Sequence, residues 1–347
     1  MDNARGHRAA PRRARFPEPL NATPMRLLSR AFRATAVRAA VACLGVLLVA
    51  ANGCSIRQFA INKVGDALAR GGDAFGSDED PDLIRDAAPT SLKLMESLLA
   101  ESPRHEGLLL ATARGFTQYA FAFVDAPADE LEEKDFAAAS AMHQRAKRLY
   151  LRARDYGLRG LEVRHARIAA SIRTDPKSAV RRLAKRDVPL MYWTAAAWAS
   201  AITLGKDQPD LVADQPSVEA LVDRALELDE AYDDGALHAF LISYEPARQG
   251  ARGDPASRSR RHLDRAVELS RGRLASPFVS FAESVCVQNQ DVKDFRALLG
   301  RALEVDVNAR PDWRLENLVM QRRARWLLSR VEELFLDAAP APVPPRP

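Results

Sequence analysis

The residue types that usually carry catalysis are present in the chain, but they are not spaced in catalytic patterns. The six His residues are scattered, and no pair stands four residues apart with the Glu of a zinc hydrolase. The sequence has no phosphate loop, no dinucleotide fingerprint and no Gly-flanked nucleophilic Ser. Of the three Cys, Cys43 and Cys54 belong to an N-terminal leader described below, so Cys286 alone remains as a buried core thiol. We therefore expect no enzyme, no metal site and no cofactor.

Two unusually apolar stretches suggest binding in place of catalysis. They are LLLATARGFTQYAFAFV, from Leu108 to Val124, and PLMYWTAAAWASAITLG, from Pro189 to Gly205. Both mix large aromatic residues with small ones, a mixture that an apolar ligand cavity requires. Interior packing explains the aromatic residues equally well, and a hydrogen-bonded core His explains His238 in GALHAF. The candidate ligand-binding residues are Phe116, Tyr119, Phe121, Trp193 and Trp198 as apolar walls, with Gln118 and His238 as polar contacts.

The elements that position these residues are predicted to be helices. Ala, Arg and Leu dominate and Gly is sparse, which favours helix over sheet. Three similar stretches end amphipathic runs: ALELD at 225–229, AVELS at 266–270 and ALEVD at 302–306. Their spacings of 41 and 36 residues are close to the 34 of a tetratricopeptide repeat. The sequence therefore predicts an all-α fold, a tetratricopeptide-like array of helical hairpins with a capping C-terminal helix over about 311–336.

The stretch from Leu108 to Val124 is better read as a core helix than as a membrane span. It follows an amphipathic helix over 92–101 and a stop at Ser102-Pro103. Arg114 and Gln118 interrupt it, and it is a few residues too short to cross a bilayer. Because it is apolar nearly all round, it must be covered on all sides by other helices, by another subunit or by a ligand.

The N-terminus has the anatomy of a bacterial lipoprotein leader. From Met25, which is a candidate true start, four Arg precede an apolar segment over 39–51, and small residues lead to Cys54. This order resembles a lipobox, although a plain secretory signal or an uncleaved anchor is the alternative. We expect 1–53 to be a signal peptide, 54–84 a lipidated N-terminus with a linker or first helix, 85–337 the helical domain, and 338–347 a Pro-rich disordered tail. The lipid at Cys54 would tether the chain to the outer or inner membrane.

The charge distribution argues against a nucleic-acid partner. The formal net charge is +5, but residues 1–53 contain nine Arg against Asp2 and Glu18. From Cys54 onward, 42 basic residues face 44 acidic ones, so the body carries a net charge of −2. A near-neutral surface with interspersed charges gives no electrostatic footprint for DNA or RNA.

Several segments, taken in order, resemble the TatT family, the tetratricopeptide-repeat lipoproteins associated with TRAP transporters. They are LLLATARGFTQYAFAFV, RAKRLYLRARDYGLRGLE, YWTAAAWASAITLGKD, VEALVDRALELDEAYDDGALHAFL and ENLVMQRRARWLLSRVEELF. The resemblance covers roughly 54–336. It implies a lipid-anchored protein of the Gram-negative periplasm with an apolar cavity, and a homo-oligomer, a trimer by family precedent. It also implies a partner, the solute-binding protein of a TRAP system, to which an apolar organic acid or lipid-like solute would pass.

Two functions from different classes remain open on the sequence. The first is a ligand-binding accessory of solute uptake. The second is a structural scaffold whose repeat groove docks envelope proteins and holds no small molecule, as repeat solenoids commonly do. The aromatic residues of the two apolar helices discriminate between them. If these aromatic residues enclose a space, the ligand-binding function is favoured. If they are fully packed against other helices and the groove is open and polar, the scaffold function is favoured.

Overall fold

The computed structural model describes residues 62–68, 75–248 and 250–336, and within these ranges the chain is helical with no β-strand. The prediction of an all-α fold is confirmed. The leader, the candidate lipidation residue Cys54 and the Pro-rich tail lie outside the described residues. Among the described residues, no helix combines the length and apolarity needed to cross a membrane.

The N-terminal part of the described chain forms the first nine helices. A short helical segment over 62–68 precedes them. The nine are α1 Pro81–Glu101, α2 Glu106–Ala120, α3 Ala126–Leu131, α4 Phe136–Glu162, α5 Ile168–Thr174, α6 Pro176–Val180, α7 Val188–Thr203, α8 Pro209–Val212 and α9 Gln215–Leu228. The expected boundary between residues 84 and 85 falls inside α1.

The C-terminal part continues with six helices. They are α10 Ala236–Tyr244, α11 Pro255–Ser270, α12 Ser276–Phe281, α13 Val292–Glu304, α14 Arg314–Ser329 and α15 Val331–Leu334. The three similar stretches of the sequence lie in or at the ends of α9, α11 and α13. The expected single C-terminal helix over 311–336 is in fact a 3₁₀ turn at Pro311–Trp313 followed by α14 and α15, with a break at Arg330.

Local sequence signals set the helix ends. Asp80 caps α1 by accepting hydrogen bonds from the backbone N–H groups of Asp82 and Leu83, and Pro81 occupies the first turn, where its missing N–H costs nothing. The helix ends where the Ser102 N–H donates to the Leu98 carbonyl, at the predicted stop. In α2, the ring Nδ1 of His105 accepts from the Leu108 N–H at 3.2 Å.

The N-terminal core is built where α4 packs between α2 and α7, and α7 packs on α9. Tyr150 and Trp198 are fully buried there. The two long helices α4 and α7 approach closely because Gly157 lacks a side chain: a Cβ at that position would lie 2.1 Å from Thr194 Oγ1. The glycine therefore fixes how α7, one of the two apolar stretches, sits on α4.

A second core joins α11 through α14, with Phe295 and Leu299 at its centre. The C-terminal helix α14 does more than cap this core. Its Arg323 donates to Asp129 and to the Ala126 carbonyl of the α3 region, and Arg314 donates to the Ser77 carbonyl before α1. The last long helix thus binds the N-terminal helices as well as its own neighbours in sequence.

Candidate functional site

The structure distributes the sequence-predicted site residues over several places. Phe116 is buried and stacks on Tyr156 at 6.1 Å between ring centroids. Tyr119, also buried, packs against Phe123 at 5.7 Å. These two rings belong to the packed side of α2, where interior packing accounts for them.

Trp198 and His238 each lie at a further location. The fully buried Trp198 donates its indole N–H to Asp214 Oδ2 at 3.1 Å. Asp214 also lines an open cleft of about 570 Å³, whose other lining residues are mostly polar or charged. His238 is buried and lies beside His262, with 2.8 Å between their Nδ1 atoms, and its Nε2 is 3.2 Å from Glu230. Desolvation lowers the pKa of both imidazoles, that of His262 to about 4.

One face of α2 remains open to solvent. Arg114, Gln118 and Phe121 follow one another at spacings of four and three residues, so they line the same side. Gln118 is exposed, and Phe121 exposes 39% of its surface. Within the described chain, other helices cover Leu108, which is fully buried, but they do not cover this face. Its coverage by another subunit or by a ligand stays a prediction.

Around Arg114 the fold gathers residues from four elements, which together we name the Arg114 site. Phe121 and Val319 line one small cleft, which places the open face of α2 beside the start of α14. The 3₁₀ turn Tyr232–Gly235 adds a third element, and α7 a fourth. The members of the site are Arg114, Gln118, Tyr192, Trp193, Tyr232, Asp233 and Glu316.

Three aromatic rings form the wall of the Arg114 site. Trp193 meets Tyr192 edge to face at 4.9 Å between centroids, and Tyr192 meets Tyr232 at 5.6 Å. The guanidinium carbon of Arg114 lies 5.9 Å from the centre of the Trp193 ring, within cation–π range. Desolvation raises the pKa of the Tyr192 and Tyr232 hydroxyls, that of Tyr232 to about 12, so both are neutral hydrogen-bonding groups.

Two carboxylates face the same space. Solvent reaches both Asp233 and Glu316, yet desolvation by the surrounding protein raises the pKa of each carboxyl. Protein atoms therefore crowd the two carboxyl groups, although each residue keeps part of its surface in contact with water. Glu316 accepts a hydrogen bond of 2.7 Å from the Ser276 hydroxyl. Arg114 acts on both carboxyls in the opposite direction, by lowering their pKa values.

The backbone at Asp233 is held in an unusual conformation. Asp233 and Asp234 have φ angles of 46° and 50°, in the left-handed region that L-residues seldom adopt. Asp234 is anchored by Arg310 at 2.5 Å, and the Arg310 guanidinium lies 3.7 Å from the centre of the Trp313 ring. The left-handed turn that carries Asp233 is thus held by a contact outside the Arg114 site.

Of the sequence-predicted residues, the structure brings Gln118 and Trp193 into the Arg114 site, and Phe121 to its edge. Sequence reasoning missed Arg114, Asp233 and Glu316 as site residues. A lone Arg within an apolar helix was one available signal, and the Asp-Asp pair before Gly235 was another. Glu316 offered no signal, because it resembles any surface Glu of a helix.

A second polar cluster has a structural explanation. Asp129, Glu132 and His143 offer ligand atoms within 4.8 Å of one another, a spacing that a metal ion would accept. The Asp129 carboxylate is, however, paired with the Arg323 guanidinium at 2.7 Å, and His143 Nδ1 is 3.0 Å from Asp125. These groups already compensate one another, so the cluster supports ion pairing and no metal site is proposed.

Comparison with known proteins identifies the class of protein that carries this fold. The model of the TAtT family, the TRAP transporter T-component, matches residues 77–335. An uncharacterized protein of Treponema pallidum (strain Nichols) is 28% identical over 306 residues, which cover 82% of this chain and 94% of the relative.

The chain belongs to the family of TRAP transporter T-components, and the resemblance stated from the sequence is confirmed. Membership gives it an accessory role in TRAP transport and associates it with the bacterial cell envelope. The family is a transport component and not a known enzyme family.

Proposed function

We propose that the chain is a lipid-anchored periplasmic subunit of a TRAP-type uptake system that binds a small organic solute at the Arg114 site. The solute is an apolar or organic acid, and the solute-binding protein of the same system is the partner with which it is exchanged. The helical hairpins form a tetratricopeptide-like array, the chain assembles as a homo-oligomer, with a trimer as the family precedent, and Cys54 carries the lipid.

The observation that supports ligand binding is the Arg114 site itself. Trp193, Tyr192 and Tyr232 offer apolar wall area, and Arg114 and the two carboxylates offer oriented charges. Ligand sites of this kind combine mostly apolar lining with a few convergent polar groups.

The direct test is native mass spectrometry of the full chain, purified from membranes in mild detergent, alone and with the solute-binding protein from the same genome. We expect a discrete oligomer that retains a small organic molecule, and a defined complex with the solute-binding protein. Arg114→Met should lose the retained molecule. Arg85→Met, which alters an exposed arginine paired with Asp82 on α1, should keep it.

The scaffold alternative finds its support at the open, polar cleft beside Asp214. A chain that retains no small molecule and ignores the solute-binding protein would contradict transport accessory function. The same membranes would then be searched for proteins cross-linked at Arg173, which lines that cleft. Lipidation is tested separately by the mass of the N-terminal peptide, since Cys54→Ser should remove the acyl chains and release the chain from membranes.

A further inference from the structure

The three charged groups of the Arg114 site form no ion pair with one another in the part of the chain that the structure describes. Among the described residues, Arg114 makes no ion pair within 4 Å, and its hydrogen bond is to Gln118 Oε1 at 3.3 Å. Elsewhere in the fold, arginines that meet carboxylates are in direct contact with them, as Arg310 is with Asp234 at 2.5 Å. The guanidinium of Arg114 is therefore available to a carboxylate from outside the chain, which it would bind through paired N–H donors.

The two carboxylates are available in the same way. Glu316 accepts from the Ser276 hydroxyl, and neither Glu316 nor Asp233 forms a salt bridge within 4 Å to any described cation. With both ionised, the site carries one positive and two negative charges. A ligand that brought only a carboxylate would add a third negative charge and leave both acidic groups without a cation.

We propose that the ligand of the Arg114 site is a small zwitterion, a compound with one carboxylate and one ammonium group, such as an amino acid with an apolar side chain. This inference rests on the proposed function and sharpens it. The ligand carboxylate pairs with Arg114, and its ammonium group lies between Asp233 and Glu316. Both signs of charge in the site are then compensated by one neutral molecule.

The aromatic wall fits the rest of such a ligand. Trp193, Tyr192 and Tyr232 meet one another at 4.9 and 5.6 Å between ring centroids, so they form a continuous surface. A ring face attracts a cation, with Trp the strongest, and the same surface buries an apolar side chain. The aromatic rings therefore contribute to the binding of the ammonium end and of the apolar body.

The turn at Asp233 supplies pre-organisation. Its left-handed backbone is held by the pair of Asp234 with Arg310, so the Asp233 carboxylate needs no rearrangement when the ligand enters. Holding a charged group in its bound position before binding lowers the entropic cost of association. A strained conformation anchored next to an unpaired carboxylate is more readily explained by a ligand than by folding stability.

The experiment compares matched sets of compounds on the full chain in detergent by ligand-observed NMR, with calorimetry on the best binder. One set is leucine, isoleucine, valine, methionine and phenylalanine. The second set is their deaminated acids, and the third is their decarboxylated amines. The neutral dye N-phenyl-1-naphthylamine serves as an apolar probe. We expect an amino acid to bind at least about tenfold more tightly than its acid or its amine, because each lost charged hydrogen bond costs about 1.5–3 kcal/mol.

Two variants locate the binding. Arg114→Met should weaken the binding of the amino acid at least about tenfold. The deaminated acid should lose its remaining affinity as well. Glu316→Gln should weaken the binding of the amino acid more than the binding of the deaminated acid, since only the amino acid has an ammonium group. Arg85→Met, on the exposed side of α1, should leave the binding of both compounds unchanged. This pattern would not follow from a structural role, which would affect all compounds alike.

The outcomes separate this inference from the proposed function. If a deaminated acid or the neutral dye binds as well as any amino acid, the proposal of a zwitterionic ligand is overturned, while the proposed ligand-binding function stands. If nothing binds from any set, both fail. An amino acid that binds equally well to Arg114→Met also overturns the inference, because its carboxylate is then held elsewhere.

Discussion

Arg323 and Arg114 both lie on long helices, but their surroundings in the fold differ. Arg323 exposes 8% of its surface and reaches Asp129 at 2.7 Å, Glu283 and the Ala126 carbonyl. Arg114 has Gln118 and the distant face of Trp193. A buried charge that serves stability is surrounded by partners, because an unpaired one is costly. The comparison indicates that Arg323 joins parts of the fold, whereas Arg114 forms no ion pair within 4 Å among the described residues.

Both arginines lie beside irregular helix geometry, which strengthens the comparison. The chain forms π-helical turns at Phe121–Asp125 and Ala282–Cys286, and Glu283 in the second turn pairs with Arg323. Asp125 in the first accepts from the Tyr150 hydroxyl at 2.9 Å and contacts His143. Here the irregular geometry aims carboxylates at partners within the chain. The irregular turn at Asp233, in contrast, carries a carboxylate that forms no salt bridge within 4 Å to a described cation.

The largest effect on stability is expected for Arg323→Met. The substitution removes the guanidinium that both Asp129 and Glu283 contact, and with it one of the ion pairs between α14 and α3. Since both carboxylates keep partial contact with water, we expect a loss of about 3 kcal/mol in the free energy of unfolding, measured by urea titration. The matched control Arg322→Met removes an exposed pair with Glu130 and should cost less than about 1 kcal/mol. Equal losses would contradict the role of Arg323.

Gly157→Ala tests whether the packing that carries Trp193 depends on close helix approach. The added Cβ meets Thr194 Oγ1 and comes within 3.3 Å of the Thr194 backbone, so α7 must move. We expect a loss of about 2 kcal/mol in the free energy of unfolding. As a control, Gly300→Ala on α13 places its Cβ in open space and should stabilise by about 0.5–1 kcal/mol, because Ala favours helix. A neutral Gly157→Ala would mean that the two helices separate without cost.

Arg114→Met sharpens the contrast with Arg323→Met. Because Arg114 has no ion pair among the described residues, its removal should change the free energy of unfolding by less than about 1 kcal/mol. Ligand retention should nevertheless be lost. Urea titration and native mass spectrometry on the same preparation measure both effects. A loss of stability as large as that of Arg323→Met would make Arg114 a structural residue and end the comparison.

The smallest effect is expected for Glu316→Gln, and it depends on pH. Desolvation raises the pKa of the Glu316 carboxyl in the folded state, so the folded chain holds this proton more tightly than the unfolded chain. Wild-type stability therefore falls as pH rises from the ordinary Glu pKa through the raised one. Glutamine removes this penalty. The variant should be more stable than wild type near pH 7 and equal to it near pH 4, and a gain that is the same at both pH values would contradict the desolvated site.

Much of the local structure was predictable from the sequence. Capping residues and prolines gave the end of α1 at Ser102, and apolar periodicity gave α2, α7 and the helices that end at ALELD, AVELS and ALEVD. These signals act between residues that are close in the sequence, so they can be recognised without the tertiary structure. The family resemblance also followed from the sequence, because the order of the segments is more specific than any one helix.

The site was predictable only in part. An apolar helix with aromatic residues indicates that something covers it. In the structure Phe116 and Trp198 are buried, whereas Trp193 is only half-buried and lies beside Arg114. Which ring is packed depends on which helix crosses at that turn, as Gly157 decides for α7.

The sequence by itself determined that the chain is helical and which of its helices are apolar. It also contains none of the catalytic motifs that were sought. The tertiary structure alone decided which charges find partners. Arg323 and Arg114 look alike in the sequence of a helix, but Arg323 pairs with Asp129, 194 positions away, whereas Arg114 forms no ion pair among the described residues. Pairing over such distances depends on how α14 returns to the N-terminal helices. Because Coulomb energy falls with distance and rises as water is excluded, that return makes one arginine structural and leaves the other free to bind.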